Sequence, residues 1–175
     1  MQMEAEFVSQ RILELQEMDI SLNDIAVLCR SARMTYNLEI ELAKRAIPYK
    51  KFGGLKFIET AHVKDVIAHL RVILNPQDII SLNRILLLLN GVGAQTAMRL
   101  LPMLTVKDVQ TDKLMLPAKS SDGIKKLFNT IGKQRDNLLN PAEIVEKVIE
   151  YYTPILIDKY DDYTKRQKDL EHFLL

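Results

Sequence analysis

The stretch from Leu86 to Leu101 constrains this chain most: four leucines, Asn90, the run Gly91-Val92-Gly93, and then a second amphipathic run that carries Thr96 and Arg99. It reads as helix, hairpin, helix. Glycine has no Cβ, so Gly91 and Gly93 let the turn enter φ > 0 regions and let another molecule's backbone come close. The amides that follow open a new helix, where N–H groups without intrahelical partners and the positive end of the dipole attract anions. Such a hairpin grips a nucleic-acid backbone without reading bases. Two other readings fit the same residues. One is a tight corner joining two core helices. The other makes Ile85–Leu89 a buried strand feeding a dinucleotide loop, which wants Gly or Ala where this chain has Thr96.

Composition narrows the field without deciding it. With 175 residues, 47% hydrophobic and 27% charged, the chain can bury a real core as one large domain, or as one small domain plus a piece of another. A formal charge of +1 means that attraction to nucleic acid must come from local clustering of the 24 basic residues. The one cysteine, Cys29, excludes an internal disulfide framework and reads as a small buried hydrophobe near a strand end. No apolar run is long enough to span a bilayer and the acidic start does not resemble a signal peptide, so the expectation is a cytoplasmic protein with no membrane partner.

Taken in order, Val8, Ile12 and Leu15 share one face of a first helix. Ile25–Cys29, ending in Arg30, suits a strand covered on both faces, and Ile47-Pro48-Tyr49 starts a second. Helix, strand, helix, strand is a piece of a parallel α/β sheet, but two strands are too few for such a sheet to stand alone. Beyond Gly53-Gly54 nearly everything is helical. Asn75-Pro76-Gln77-Asp78 stops one helix and starts the next, with Asn75 as N-cap and Pro76 at N1, and Asn140-Pro141-Ala142-Glu143 repeats the device. Pro102–Pro117 is the least regular stretch. Ile124, Leu127, Phe128, Ile131 and Leu138 form the apolar face of a further helix, while Lys119, Lys126 and Lys133 recur every seven residues on another face. Tyr163, Leu170, Phe173 and Leu174 mark a last helix. The fold expected is therefore mostly α: a small incomplete parallel α/β piece of two strands, then a helical domain with a helix-hairpin-helix.

Chemistry is sparse. There is no Gly-x-x-x-x-Gly-Lys-Ser/Thr loop and no apolar strand ending in paired carboxylates for magnesium, so the chain alone is not expected to hydrolyse nucleotide. His62, His69 and His172 are too dispersed for a metal pair. Asp65 and His69 stand four apart, as an exposed charge pair would. Asp161-Asp162 reads as a helix start.

The order of the segments resembles the UvrD/Rep-like DNA helicases of superfamily 1. The residues that carry the likeness are Asp24–Arg30, Leu38 and Leu42, Ile47-Pro48-Tyr49, Gly53–Phe57, Val63-Lys64-Asp65, Leu70-Arg71, Asn75-Pro76 and Gly91-Val92-Gly93, continued in the tail by Tyr151-Tyr152-x-Pro154 and Tyr160-Asp161-Asp162. The resemblance implies that residues 1–57 are a segment of the second RecA-like motor domain, 2A, and residues 58–175 its helical insertion, 2B. It implies that Gly91, Val92 and Gly93 contact duplex backbone and that Arg30 lies along the single strand. Thr96, Arg99 and the Lys126/Lys133 face would support the hairpin. Asn90 stands where the family often has Arg. ATP and magnesium would belong to the parent protein and no cofactor to this piece. The implied partners are a junction of double- and single-stranded DNA and the remaining motor domains, with self-association through open sheet edges as a side effect. An interaction or autoinhibitory module with a purely structural Gly-x-Gly turn is the rival of another class.

Overall fold

The computed structural model describes residues 2–105, 116, 118–136 and 140–172, and these fall into two compact units, Met1–Thr60 and Ala61–Leu175. In the first unit, α1 (Gln2–Glu17) packs against α2 (Tyr36–Lys44), with short 3-10 turns at Leu22–Asp24, Ala32–Thr35 and Phe57–Glu59. Its core is small: Ile12, Leu42 and Ile47, flanked by Val8, Leu13, Leu22, Ile25 and Leu38.

The two strands expected here are not strands, and no sheet occurs among the described residues. Ile25 is extended (φ −104°, ψ 126°), but a strand also needs a neighbouring backbone, and Ile25–Cys29 finds none. Its apolar side chains stay largely in solvent, with Leu28 94% exposed, and Cys29 is an exposed free thiol rather than a buried hydrophobe. Ile47 has another job. Ala46 adopts φ 54°, the Ile47 amide donates to Leu42 O at 2.8 Å and the Ala46 amide to Ala43 O at 3.1 Å. That is a Schellman motif, and Ile47 packs back on Leu42 as its hydrophobic lock. The end of α1 is built in the same way, with Asp19 at φ 61° and Ile20 donating to Leu15 O at 3.1 Å. Helix-stop chemistry therefore occupies positions whose apolar run suggested the start of a strand.

The second unit is built around α3 (Ala61–Leu74), which packs against α4 (Ile79–Leu86), α6 (Ser121–Asp136), α7 (Pro141–Lys159) and α8 (Tyr163–His172); α5 (Ala94–Leu104) packs on α4. Val63, Val66, Leu82, Ile85, Leu86, Leu100, Ile124, Leu127, Leu156 and Leu170 are almost completely buried. Each such side chain contributes about 1.5–3 kcal/mol relative to exposure.

Two cap assignments fare differently. Asn140 caps α7 as expected: its side chain accepts from the Ala142 amide at 3.1 Å, and Pro141 follows as first helical residue. The cap of α4 is instead Asp78, whose carboxylate accepts from the Ser81 amide at 3.0 Å and the Ser81 hydroxyl at 2.7 Å. Those bonds hold its pKa below the usual carboxylate value. Asn75 closes only a local turn, accepting from the Gln77 amide at 3.1 Å. Most of Pro102–Pro117, and Leu138, Phe173 and Leu174, lie outside the described residues.

Candidate nucleic-acid interface

Ile85 and Leu86 end α4, and the chain turns through Leu87–Gly93 into α5, so the dinucleotide alternative loses its strand. The turn is fixed from inside. Val92 is 7% exposed and its amide donates to Leu89 O at 3.1 Å, while Leu89 is itself buried against Gly123 of α6. Asn90 Nδ2 donates to Asp158 Oδ2 at 3.1 Å, tying the turn to the last residues of α7.

The two glycines do different work. Gly91 has φ +79°, and a Cβ there would lie 3.2–3.3 Å from the Cβ, carbonyl carbon and oxygen of Lys119. The fold needs glycine at that position. Gly93 is the residue before α5, with φ −91° and ψ 175°, no side-chain cap, and nothing within 4 Å of where a Cβ would stand. The expectation that both glycines enter φ > 0 regions therefore holds for Gly91 alone. Any residue could adopt the backbone of Gly93, and Ser, Thr, Asn or Asp would cap the helix better. An uncapped, open glycine leaves the first amides of α5 accessible from outside.

Thr96 is half-buried and Arg99 exposed, one helical turn apart on α5. Arg99 starts about 9 Å along the axis from Gly93, within reach of its own long side chain. Lys126 and Lys133 are exposed on α6. Lys126 leans toward α7, its Nζ 6.0 Å from the centre of the Tyr151 ring. Lys133 is roughly 15 Å along α6 from Gly123, where the hairpin packs, so it cannot serve the same phosphate as the turn. Arg30 is exposed in the first unit, near the 3-10 turn at Ala32.

Two neighbours of the hairpin were not singled out as binding residues in the sequence. Lys119, known only as one member of a seven-residue recurrence, lies directly against Gly91 with its side chain exposed. Asp158 places a carboxylate at the other side of the turn. Neither adjacency has a signal in spacing, because each joins segments far apart in the chain.

A buried polar cluster fixes α4 on α3 and α7. Asp65 is 1% exposed; Arg84 Nε donates to its Oδ1 at 2.7 Å and the buried Tyr152 hydroxyl to its Oδ2 at 2.6 Å. Arg84 also donates to Ala61 O at 3.1 Å. The exposed Asp65–His69 pair expected from spacing is thus replaced: His69 is buried too, and its Nδ1 lies 2.7 Å from the Asp65 backbone oxygen, which makes Nδ1 the donor. Burial lowers the His69 pKa, against the opposing pull of the Asp65 carbonyl and charge. Burial, the hydrogen bond to Asp65 and its charge together raise that of Tyr152. Both groups stay neutral near pH 7. On α8, Arg166 stacks 4.1 Å from the centre of the Tyr160 ring and its Nε donates to Asp162 Oδ1 at 2.6 Å. No group of three or more potential metal-ligating side chains occurs among the described residues, and none of their helices is long and apolar enough to cross a membrane.

The geometry defines a class: a helical module that presents one open glycine turn at the head of a helix, with cations around it. Comparison with known proteins supplies the family. A model described as UvrD-like helicase C-terminal domain matches residues 1–173, and the chain belongs to that family. The ATP-dependent DNA helicase PcrA of Leuconostoc citreum is 30% identical over 190 residues, covering 98% of this chain and 25% of the relative. PcrA of Bacillus subtilis is 27% identical over 186 residues, with the same coverage. The ATP-dependent DNA helicase UvrD1 of Mycobacterium tuberculosis (strain ATCC 25618 / H37Rv) is 44% identical over 84 residues, 47% of this chain and 11% of the relative. The chain thus spans between 11% and 25% of the length of these relatives.

Proposed function

We propose that this chain is the duplex-contacting, regulatory part of an ATP-dependent DNA helicase, with residues 1–57 a segment of motor domain 2A and residues 58–175 its 2B insertion. Nucleotide and magnesium chemistry belongs to other parts of such a protein, and this piece has no hydrolytic activity of its own. The amides after Gly93 hydrogen-bond a phosphate of the duplex, with Gly91 and Val92 setting the turn. Thr96 and Arg99 extend the contact along α5, and Lys126 and Lys133 meet phosphates further along. Arg30 faces the single strand at the junction, and the remaining motor domains are the protein partners.

The observation that carries this reading is the contrast between the glycines. Packing against Lys119 explains Gly91 completely, as a purely structural turn would. It does not explain Gly93, whose backbone and surroundings would accept a side chain. The test is fluorescence anisotropy of a labelled duplex with the 175-residue chain at low salt. Three cationic contacts, Arg99, Lys126 and Lys133, give a log–log salt slope no steeper than about −3 on a duplex. Gly93→Glu, which puts a carboxylate in the open space, should abolish binding with the fold intact. Absence of duplex binding by the wild type, or equal binding by the variant, sinks the assignment.

A further inference from the structure

The hairpin has a negative charge beside it. Asp158 stands in the last turn of α7, one residue before the helix ends at Lys159, and its side chain is exposed. Its Oδ2 accepts from Asn90 Nδ2 at 3.1 Å, so the carboxylate is held at the residue that precedes Gly91. Lys159 follows it but projects about 100° further round the helix, and Asp158 forms no ion pair among the described residues. Lys119, the other neighbour of the turn, meets Gly91 through its Cβ and backbone rather than through its ammonium.

Stability does not explain that charge. The C-terminal end of a helix is the negative end of its dipole, where a carboxylate is unfavourable and a cation favourable. The bond to Asn90 needs only an acceptor oxygen, which a neutral amide also supplies. What the charge does change is the field at the turn. The Val92 amide closes back on Leu89 O at 3.1 Å, so the chain from Asn90 to the first amides of α5 is compact and spans on the order of 10 Å. Over that distance two exposed charges interact at low salt and are largely screened at about 0.15 M, where the Debye length is about 8 Å. A carboxylate held here opposes any polyanion that reaches those amides.

We propose that Asp158 is a brake on duplex binding at the hairpin: Asn90 holds its carboxylate where it repels the phosphates that the α5 amides bind, so the contact stays weak and reversible. The proposal rests on the duplex reading of the hairpin and adds the residue that limits it. The test is anisotropy of the full 175-residue chain with a labelled duplex at about 0.01 M and about 0.15 M salt. Asp158→Asn keeps an oxygen for Asn90 and removes the charge. It should tighten binding roughly two- to eightfold at the lower salt, the Coulomb range for charges about 10 Å apart between the dielectric constants of water and of a protein surface. At the higher salt the gain should shrink to about twofold or less. Glu146→Gln removes the same charge about 18 Å back along α7 and should give a smaller gain. Thermal melts should show Asp158→Asn at least as stable as the wild type. Unchanged or weaker binding by Asp158→Asn, a gain that salt does not reduce, or an equal gain from Glu146→Gln overturns the proposal. If Gly93→Glu still abolishes binding, the duplex reading survives that failure. No duplex binding by the wild type overturns both.

Discussion

Alanine at position 91 and serine at position 93 should move stability in opposite directions, although both replace a glycine in one short turn. At Gly91 the left-handed backbone costs an L-residue about 1–2 kcal/mol, and the new Cβ would press on Lys119 backbone atoms 3.3 Å away. Lower entropy of the unfolded chain offsets about 0.4–1 kcal/mol, so the backbone cost alone nets to about 0–1.6 kcal/mol, and the crowding against Lys119 brings the loss to about 1–2 kcal/mol. At Gly93 the backbone at φ −91° and ψ 175° suits any residue, and the site is open. Gly93→Ser gains the same unfolded-state term plus a few tenths for a hydroxyl cap, about 0.5–1.5 kcal/mol in all. For a chain of this size each kcal/mol shifts Tm by about 2–4 °C, so the two variants should melt roughly 3–14 °C apart with the wild type between. Thermal melts followed by far-ultraviolet circular dichroism at matched concentration measure this. Equal destabilisation by both substitutions would refute the distinction between a structural and an open glycine.

Other outcomes follow from the polar clusters. Tyr152→Phe deletes the hydroxyl that donates to the buried Asp65 carboxylate at 2.6 Å and should cost about 1–3 kcal/mol in urea unfolding. Because burial lowers the His69 pKa, the unfolded chain binds a proton that the fold refuses: stability should fall as pH drops below about 6.5, and His69→Leu should show a smaller difference between pH 7.5 and pH 5.5. For Glu39, burial alone would raise the pKa, but Lys51, Thr35 and the Phe57 amide outweigh it and the net shift is downward. Its contribution is therefore present above the ordinary carboxylate pKa and lost as pH falls through the lowered one. Glu39→Gln leaves Lys51 buried and unpaired and should cost about 3–5 kcal/mol, read by tyrosine fluorescence, since Tyr36 and Tyr49 adjoin the pair.

What the amino-acid order revealed was local. The apolar face of Ile124, Leu127 and Ile131 on α6 and the Asn140-Pro141 start of α7 follow from rules that act over one or two turns of helix, and the structure contains both. Sheet formation is not local. Ile25–Cys29 has the composition of a buried strand, but a strand is made by the backbone beside it, and none pairs with it here. Ile47 misled for the opposite reason, since a helix-stop motif uses an apolar residue where a strand would begin. At the candidate interface the glycine pair, Thr96 and Arg99 could be picked out by eye. The contact of Lys119 with Gly91 and the Asp65–Arg84–Tyr152 cluster join residues 19 to 87 positions apart and needed the fold. Two identical letters, Gly91 and Gly93, proved to differ only when their dihedral angles and neighbours were known.

The most direct measurement is a titration of the isotope-labelled chain with a short DNA duplex at low salt, followed by backbone amide chemical shifts. Donation of main-chain hydrogen bonds to a phosphate predicts that the amides of Ala94, Gln95 and Thr96 move first and furthest, that salt reverses the change, and that Gly93→Glu abolishes it. Saturable duplex binding in which those amides keep their shifts while others respond would contradict the account.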